Sequence, residues 1–136
     1  MIIGVGTDLI DIRRIEKTLE NFKDRFINRV YSVEEKEKVE KKAHVANGYA
    51  MRYAGKEAAA KALGTGFQNG VFWRDLVNDN LPSGQPTMTF RGGALKRLKE
   101  LTPPGMKAQI NVSLTDEYPM AHAIVIISAI PDTDDP

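Results

Sequence analysis

The sequence predicts a single α+β domain in which an antiparallel sheet packs against a long helix. Helical periodicity runs through most of residues 12–63, and short apolar strand patterns separated by turns follow from residue 71 onward. An apolar, β-branched segment, residues 2–10, precedes both. A chain of 136 residues is the size of one domain. We expect the domain to span residues 1–130, and residues 131–136 to form a disordered acidic tail.

The composition excludes several classes of protein. The chain has no cysteine, which rules out disulfide scaffolds, thiolate zinc sites and cysteine nucleophiles. A net charge of +1 argues against a chain dedicated to nucleic-acid binding. No apolar stretch approaches the ~20 residues that span a bilayer, and the first residues lack the pattern of a signal peptide. We therefore expect a cytoplasmic protein.

The first strand and the helix after it are predicted in residues 2–30. Residues 2–10 are typical of a buried strand, interrupted by Gly4 and Gly6. Asp11 is a good N-cap for a helix, and a second short helix is predicted over residues 22–30. The apolar stripe of the first helix is Ile12, Ile15 and Leu19.

Two more helices follow. Ser32 and Glu35 have the spacing of a capping box, which predicts a charged, mostly exposed helix as far as Lys42. Residues 45–63 give the longest helical pattern, and Gly64 follows it at the C-cap position. A stripe of small side chains that lets this helix approach a sheet closely is formed by Ala50, Ala54, Ala58 and Ala62.

The second half of the chain is dominated by strands. Residues 71–77 and 86–90 are predicted to form a hairpin, because the residues between them are rich in turn formers. Residues 92–101 form an amphipathic helix, and residues 108–114 and 120–130 give the last two strands. The inward face of this fourth helix is predicted to be Leu95, Leu98 and Leu101.

Charge is unevenly distributed. Residues 13–61 hold thirteen basic and eight acidic side chains, whereas residues 62–136 hold six basic and eight acidic ones. A basic first half favours an anionic partner, although a solvated helical face would account for the same counts.

The candidate chemistry lies on the first strand and on the long helix. Asp8 is reached through two glycines, and Glu57 and Lys61 are four residues apart, so they project to one side of their helix. If the helix packs on the strand, Asp8 and Glu57 could hold Mg²⁺, and Arg52 and Lys61 could bind phosphate. The alternatives are a capping role for Asp8 and an ordinary surface pair for Glu57 and Lys61. We expect His44 to be exposed and His122 to lie on a sheet face. Two isolated histidines do not indicate a zinc site.

Several segments match one known family, in the same order along the chain. They are residues 4–10, Phe26, residues 31–35, 52–66, 83–86, 111–115 and 121–126. On these segments the chain resembles the holo-acyl-carrier-protein synthases, the short bacterial class of 4′-phosphopantetheinyl transferases. The most specific match is the Lys-Glu-Ala-x-x-Lys pattern of residues 56–61 combined with Gly-x-Gly-x-Asp at residues 4–8.

The resemblance implies a reaction and its residues. Members move the phosphopantetheine arm of coenzyme A onto a serine of apo-acyl carrier protein in fatty acid biosynthesis, and release adenosine 3′,5′-bisphosphate. The resemblance assigns Mg²⁺ binding to Asp8 and Glu57, and stabilisation of charge on the leaving group to Lys61. Either Glu57 or a metal-bound water would take the serine proton.

The resemblance also implies binding sites for the two substrates. It assigns the coenzyme's phosphates and nucleotide to Arg52 and the backbone around Gly64, the adenine to the turn at Pro86, and the acidic carrier protein to Arg14. It implies a homotrimer with active sites at subunit interfaces. One departure is Asp116, which stands where many relatives have a histidine that approaches the coenzyme from a neighbouring subunit. The alternatives are a transferase for carrier domains of secondary metabolism and a noncatalytic module that binds coenzyme A or a carrier protein.

Overall fold

Residues 1–133, the part of the chain that the computed structural model describes, form five strands and four α-helices. The strands are β1 (Ile2–Asp11), β2 (Leu76–Asn80), β3 (Pro86–Phe90), β4 (Met106–Glu117) and β5 (Met120–Pro131). The helices are α1 (Ile12–Val30), α2 (Val33–Glu40), α3 (Val45–Ala62) and α4 (Gly92–Leu101). These elements confirm the predicted α+β class.

The larger sheet has the strand order β1–β5–β4, and both pairings are antiparallel. Its inner face packs against α3, since alternate residues of β5 are buried there. The buried positions of β5 are Ala121, Ala123, Val125, Ile127 and Ala129. All four alanines of the predicted stripe on α3 are buried as well, so this helix lies close to the sheet. Strands β2 and β3 form a separate two-stranded hairpin.

The first half of the chain differs from the prediction in the length of its helices. One continuous helix, α1, replaces the two predicted pieces, because the apolar stripe continues to Ile27 and Val30 with no helix breaker in between. At 19 residues α1 is one residue longer than α3, although the sequence predicts α3 to be the longest. Both predicted caps are confirmed: Asp11 accepts the N–H of Arg13, and Ser32 with Glu35 forms a capping box.

The strand predicted at residues 71–77 is misplaced. Residues Trp73–Asp75 form a 3₁₀ turn, and β2 begins only at Leu76. The reason is tertiary, because the carbonyl groups of Trp73 and Leu76 accept hydrogen bonds from the buried ammonium of Lys56 instead of from a strand. A long-range contact of this kind overrides the local strand propensity.

The end of the chain shows two smaller differences. Leu95 on α4 is exposed, because the inward face of that helix is centred on Ala94 and Leu98. Pro131, predicted as the start of a disordered tail, pairs with Met106 at the end of β5, and the N–H of Asp132 donates to the carbonyl of Gly105. The rest of the predicted tail, residues 134–136, lies outside the described residues.

Among residues 1–133, none of the helices has the length and apolar character needed to cross a membrane.

Candidate active site

Close contact between β1 and α3 creates the centre of the candidate site. A side chain at Gly4 or Gly6 would overlap the carbonyl oxygens of Ala62 and Ala58, respectively, so only glycine permits this distance between strand and helix. Asp8 follows two positions after Gly6 and therefore lies on the same face of the sheet, toward α3.

Asp8, Glu57 and Lys61 come together at this contact, as the sequence predicts. The ammonium of Lys61 donates to Asp8 Oδ1 at 3.2 Å and to the carbonyl oxygen of Thr7 at 2.9 Å. The Asp8 side chain is mostly shielded, with 16% exposed, while that of Lys61 is 52% exposed. Lys61 can therefore leave Asp8 and contact a ligand in solution at little cost.

Glu57 has an unusual electrostatic environment. Burial raises the pKa of its carboxyl group, and the neighbouring charge of Asp8 raises it further. The charges of Lys61 and Arg14 and the hydroxyl of Tyr53 act on this pKa in the opposite direction. The two carboxylates repel each other, and a cation bound between them would relieve this repulsion.

Two further side chains adjoin the pair of carboxylates. Arg14 on α1, predicted to contact the carrier protein, is close enough for its charge to act on Glu57 and Tyr53. Tyr53 on α3 also belongs to this group, because burial and the charge of Glu57 raise the pKa of its hydroxyl. The signal available in the sequence was its spacing, since Tyr53 lies four residues before Glu57 and on the same side of α3.

Arg52 and Pro86 lie in a different part of the molecule from the carboxylates. Arg52 is only 5% exposed, and its guanidinium donates to the carbonyl oxygen of Gly48 at 3.2 Å. Burial lowers the pKa of Arg52, and the charges of Glu35 and Asp79 act on it in the opposite direction. Its Nε is buried without a hydrogen-bond partner among the described residues.

The hairpin that carries Pro86 lies close to Arg52, because the side-chain amide of Asn78 on β2 donates to the carbonyl oxygen of Arg52. Pro86 begins β3 opposite Asn80, and Lys38 of α2 donates to both Asp79 and Asn80 at the end of β2. Arg52 and the hairpin therefore form a polar group of mixed charge that is separate from Asp8 and Glu57 within one chain.

Gly64 lies in the loop that leaves α3. Its φ of 77° and that of Gly66, 58°, are in the left-handed region, which lets the chain turn sharply after the helix. The loop borders a cavity of about 400 Å³. The polar residues around this cavity are Thr65, Asn69, Lys96, Arg97 and Glu100.

The remaining candidates have local roles. Asp116 accepts a hydrogen bond of 3.2 Å from the side-chain amide of Asn47. His44 and His122 are exposed, the latter on β5, as expected. Within residues 1–133 no group of three or more histidine or carboxylate side chains is arranged to hold a metal ion. Asp8 and Glu57 are nevertheless a fitting pair for Mg²⁺, which binds proteins through one or two carboxylates together with substrate phosphates.

Comparison with known proteins gives one consistent family. Residues 4–122 match the model of the 4′-phosphopantetheinyl transferase superfamily. A holo-[acyl-carrier-protein] synthase of Phenylobacterium zucineum is 58% identical over 131 residues, which cover 96% of this chain and 95% of the relative.

Solved structures show the same fold. The holo-[acyl-carrier-protein] synthase of Neisseria meningitidis superimposes with a TM-score of 0.83 at 30% identity, over 94% of this chain and 99% of that one. The enzyme of Helicobacter pylori, solved in complex with coenzyme A, gives a TM-score of 0.77 at 26% identity, over 91% and 99% of the two chains.

Proposed function

Because the chain belongs to the 4′-phosphopantetheinyl transferase superfamily, we propose that it transfers the 4′-phosphopantetheine group of coenzyme A to a serine hydroxyl of apo-acyl carrier protein. The products are holo-acyl carrier protein and adenosine 3′,5′-bisphosphate, and the reaction serves fatty acid biosynthesis in the cytoplasm. The observation that carries the proposal is the convergence of Asp8, Glu57 and Lys61 where β1 meets α3. A noncatalytic binding module would have no need for this arrangement.

Asp8 and Glu57 would hold Mg²⁺ together with the diphosphate of coenzyme A. The raised pKa of Glu57 and the proximity of the Asp8 charge support this assignment, since the pair gains most from a cation. When bound, the metal would neutralise charge on the diphosphate during the transfer.

The chain's own side chains would position the reactants and stabilise charge. The serine oxygen attacks the phosphorus of the phosphopantetheine group, and the bond from that phosphorus to the adenosine 5′-phosphate oxygen breaks. Lys61, half exposed beside Asp8, would donate to the diphosphate, where negative charge grows on the leaving group. Glu57 would accept the serine proton as the general base of the transfer.

The carrier protein would dock on α1. Arg14 on this helix acts electrostatically on Glu57, so a partner bound to Arg14 has its serine near the carboxylates. The exposed ring of Phe22 and the side chains of Arg25 and Arg29 border a shallow cavity further along α1. An acidic carrier protein would complement this basic surface.

A homotrimer would complete the site. The outer face of the β1–β5–β4 sheet bears apolar side chains without a covering element in the described chain, among them Val5 and Leu9, which are 52% and 62% exposed. We propose that this face binds neighbouring copies, and that Arg52 and the Pro86 hairpin of one subunit meet the carboxylates of the next around one coenzyme.

The test is the mass gain of an apo-acyl carrier protein incubated with coenzyme A and Mg²⁺. Wild-type protein should add one phosphopantetheine group, while Asp8→Ala and Glu57→Ala should each remove most of the rate. Omission of Mg²⁺ should have the same effect in the wild type.

Two controls keep this test specific. Glu37→Ala changes an exposed carboxylate of α2 and should transfer at the wild-type rate. Circular dichroism must show that the Asp8 and Glu57 variants are folded. Near-wild-type rates in both variants would disprove the metal assignment, and no mass gain with any apo-carrier protein would disprove the function.

A further inference from the structure

A fully buried ion pair lies next to the proposed site but takes no part in the mechanism above. The side chains of Lys56 and Glu35 are both 0% exposed, and Lys56 Nζ is 2.7 Å from Glu35 Oε1. Lys56 directly precedes Glu57, yet it faces α2 and β2 rather than β1. A buried ion pair adds little stability compared with apolar residues of the same size, so its presence needs another explanation.

Lys56 uses all three of its N–H donors. Besides Glu35, its ammonium donates to the carbonyl oxygens of Trp73 at 2.9 Å and Leu76 at 2.6 Å. No neutral side chain of similar length offers three donors at one atom. Lys56 therefore attaches the backbone between Trp73 and Leu76 to α3.

The attached backbone carries an aromatic stack that leads to the loop after α3. The ring of Trp73 lies between those of Tyr53 and Phe67, with centroid distances of 4.8 Å and 3.7 Å. Phe67 follows directly on Gly66, in the loop that contains the proposed coenzyme-binding residue Gly64. The two glycine amides bond back to the end of α3, and Phe67 is held by its stacking on Trp73.

We propose that Lys56 is a positioning residue for coenzyme A, which acts through Trp73 and Phe67 to hold the loop at residues 64–67 in the conformation that receives the coenzyme. The inference rests on the proposed function only in its choice of ligand. Lys56 does not contact the reacting atoms, so it should govern coenzyme binding and not the transfer step.

The main variant replaces both members of the pair with neutral residues of similar size, Glu35→Gln with Lys56→Met. A single substitution would leave one charge buried without a partner and risk unfolding. In the double variant we expect the KM for coenzyme A to rise on the order of 10- to 100-fold, with kcat and the KM for carrier protein nearly unchanged. Trp73 is the only tryptophan, so the tryptophan fluorescence of the protein reports on this aromatic stack. In the double variant its emission should shift to the red, and acrylamide should quench it more strongly than in wild type.

A second variant, Phe67→Ala, tests the same path without disturbing the ion pair. It should raise the KM for coenzyme A to a similar extent, and combining it with the double variant should add little further effect. The matched control is Val39→Ala, which removes a buried side chain of α2 and should lower the melting temperature while leaving the KM and the Trp73 emission as in wild type.

The outcomes separate this inference from the proposed function. A wild-type KM for coenzyme A in Phe67→Ala would overturn the positioning role, whether or not the double variant folds. The same result in a folded double variant would also overturn it. If wild-type protein transfers nothing, the proposed function fails, and calorimetric titration of coenzyme A into the same variants still tests the inference.

Discussion

At the scale of single residues, the structure brings Asp8, Glu57 and Lys61 together and places Arg52 elsewhere. The grouping of Asp8, Glu57 and Lys61 could be predicted for two reasons. The glycines before Asp8 let β1 approach α3, and the four-residue spacing places Glu57 and Lys61 on one side of that helix. Arg52 is five residues from Glu57, about 140° around the helix, so it points to another part of the molecule. Lys56 could not be assigned, because its partner Glu35 is 21 residues away.

A substitution at Lys61 tests whether this residue stabilises charge on the leaving group, and it does so separately from the stability of the fold. Lys61→Met should lower kcat on the order of 100-fold, because it removes a donor to the leaving group. Its melting temperature should change little, since an exposed ion pair contributes only ~0–1 kcal/mol. Steady-state kinetics and thermal unfolding measure the two effects.

The control for this variant is Arg91→Met, which removes the exposed contact to Glu34 at 3.6 Å. It should leave both kcat and the melting temperature near wild type. A Lys61→Met enzyme that keeps its kcat would contradict the role of Lys61.

At the scale of elements, local signals predicted helices well and strand boundaries poorly. The capping residues Asp11 and Ser32 act on nearby backbone, so their effect is visible in sequence. The start of β2 depends on bonds from Lys56 to Trp73 and Leu76, which no local pattern encodes. The alanine stripe of α3 correctly predicted close packing, but the sequence does not state which strand lies against it.

Gly6→Ala tests the close approach of β1 and α3. The new methyl group would overlap the carbonyl oxygen of Ala58, so we expect a loss of about 1–3 kcal/mol of unfolding free energy and a large loss of transfer activity. Urea unfolding and the mass-gain assay measure these losses. Because the obstacle is backbone, adding Ala58→Gly should not rescue the variant, and a rescue would disprove this explanation.

The N-cap of α1 predicts a pH dependence of stability. The side chain and backbone N–H of Arg13 lower the pKa of Asp11 to about 2. The ionised cap therefore stabilises the fold above about pH 4, the range where Asp11 is also ionised in the unfolded chain, and this stabilisation is lost as pH falls through about 2.

Asp11→Asn should accordingly be less stable than wild type at neutral pH, and the difference should shrink between about pH 4 and pH 2. Urea unfolding across this range measures it. Arg13→Met removes the side-chain bonds to Asp11 and keeps the backbone bond, so it should give a smaller difference over the same pH range. A difference that stays constant down to the acid limit would contradict the assignment of the cap.

At the scale of the whole molecule, two exposed apolar surfaces have different proposed partners. Val5 lies on the outer face of the sheet and Phe22 on α1, and each exposes 52% of its surface. We propose that the first binds neighbouring copies and the second binds carrier protein. Sequence patterns identify such residues as apolar, but their exposure depends on which face of each element the fold covers.

This equal exposure makes Val5→Glu and Phe22→Glu a matched pair. Val5→Glu should dissociate the oligomer and reduce transfer, because each site would lose the residues of its neighbour. Phe22→Glu should keep the oligomer and weaken carrier binding. Light scattering coupled to size-exclusion chromatography and a carrier titration measure these outcomes, and a monomeric wild type would refute the first proposal.

The carboxylate of Glu35 also has a consequence for how the molecule opens. One oxygen accepts the N–H of Ser32 as well as Lys56, and the other accepts the backbone and side-chain amides of Asn78. The start of α2, the middle of α3 and strand β2 therefore share one acceptor group and cannot separate one at a time. In native-state hydrogen exchange, the amides of Ser32 and Asn78 should exchange together, as parts of one cooperative unit.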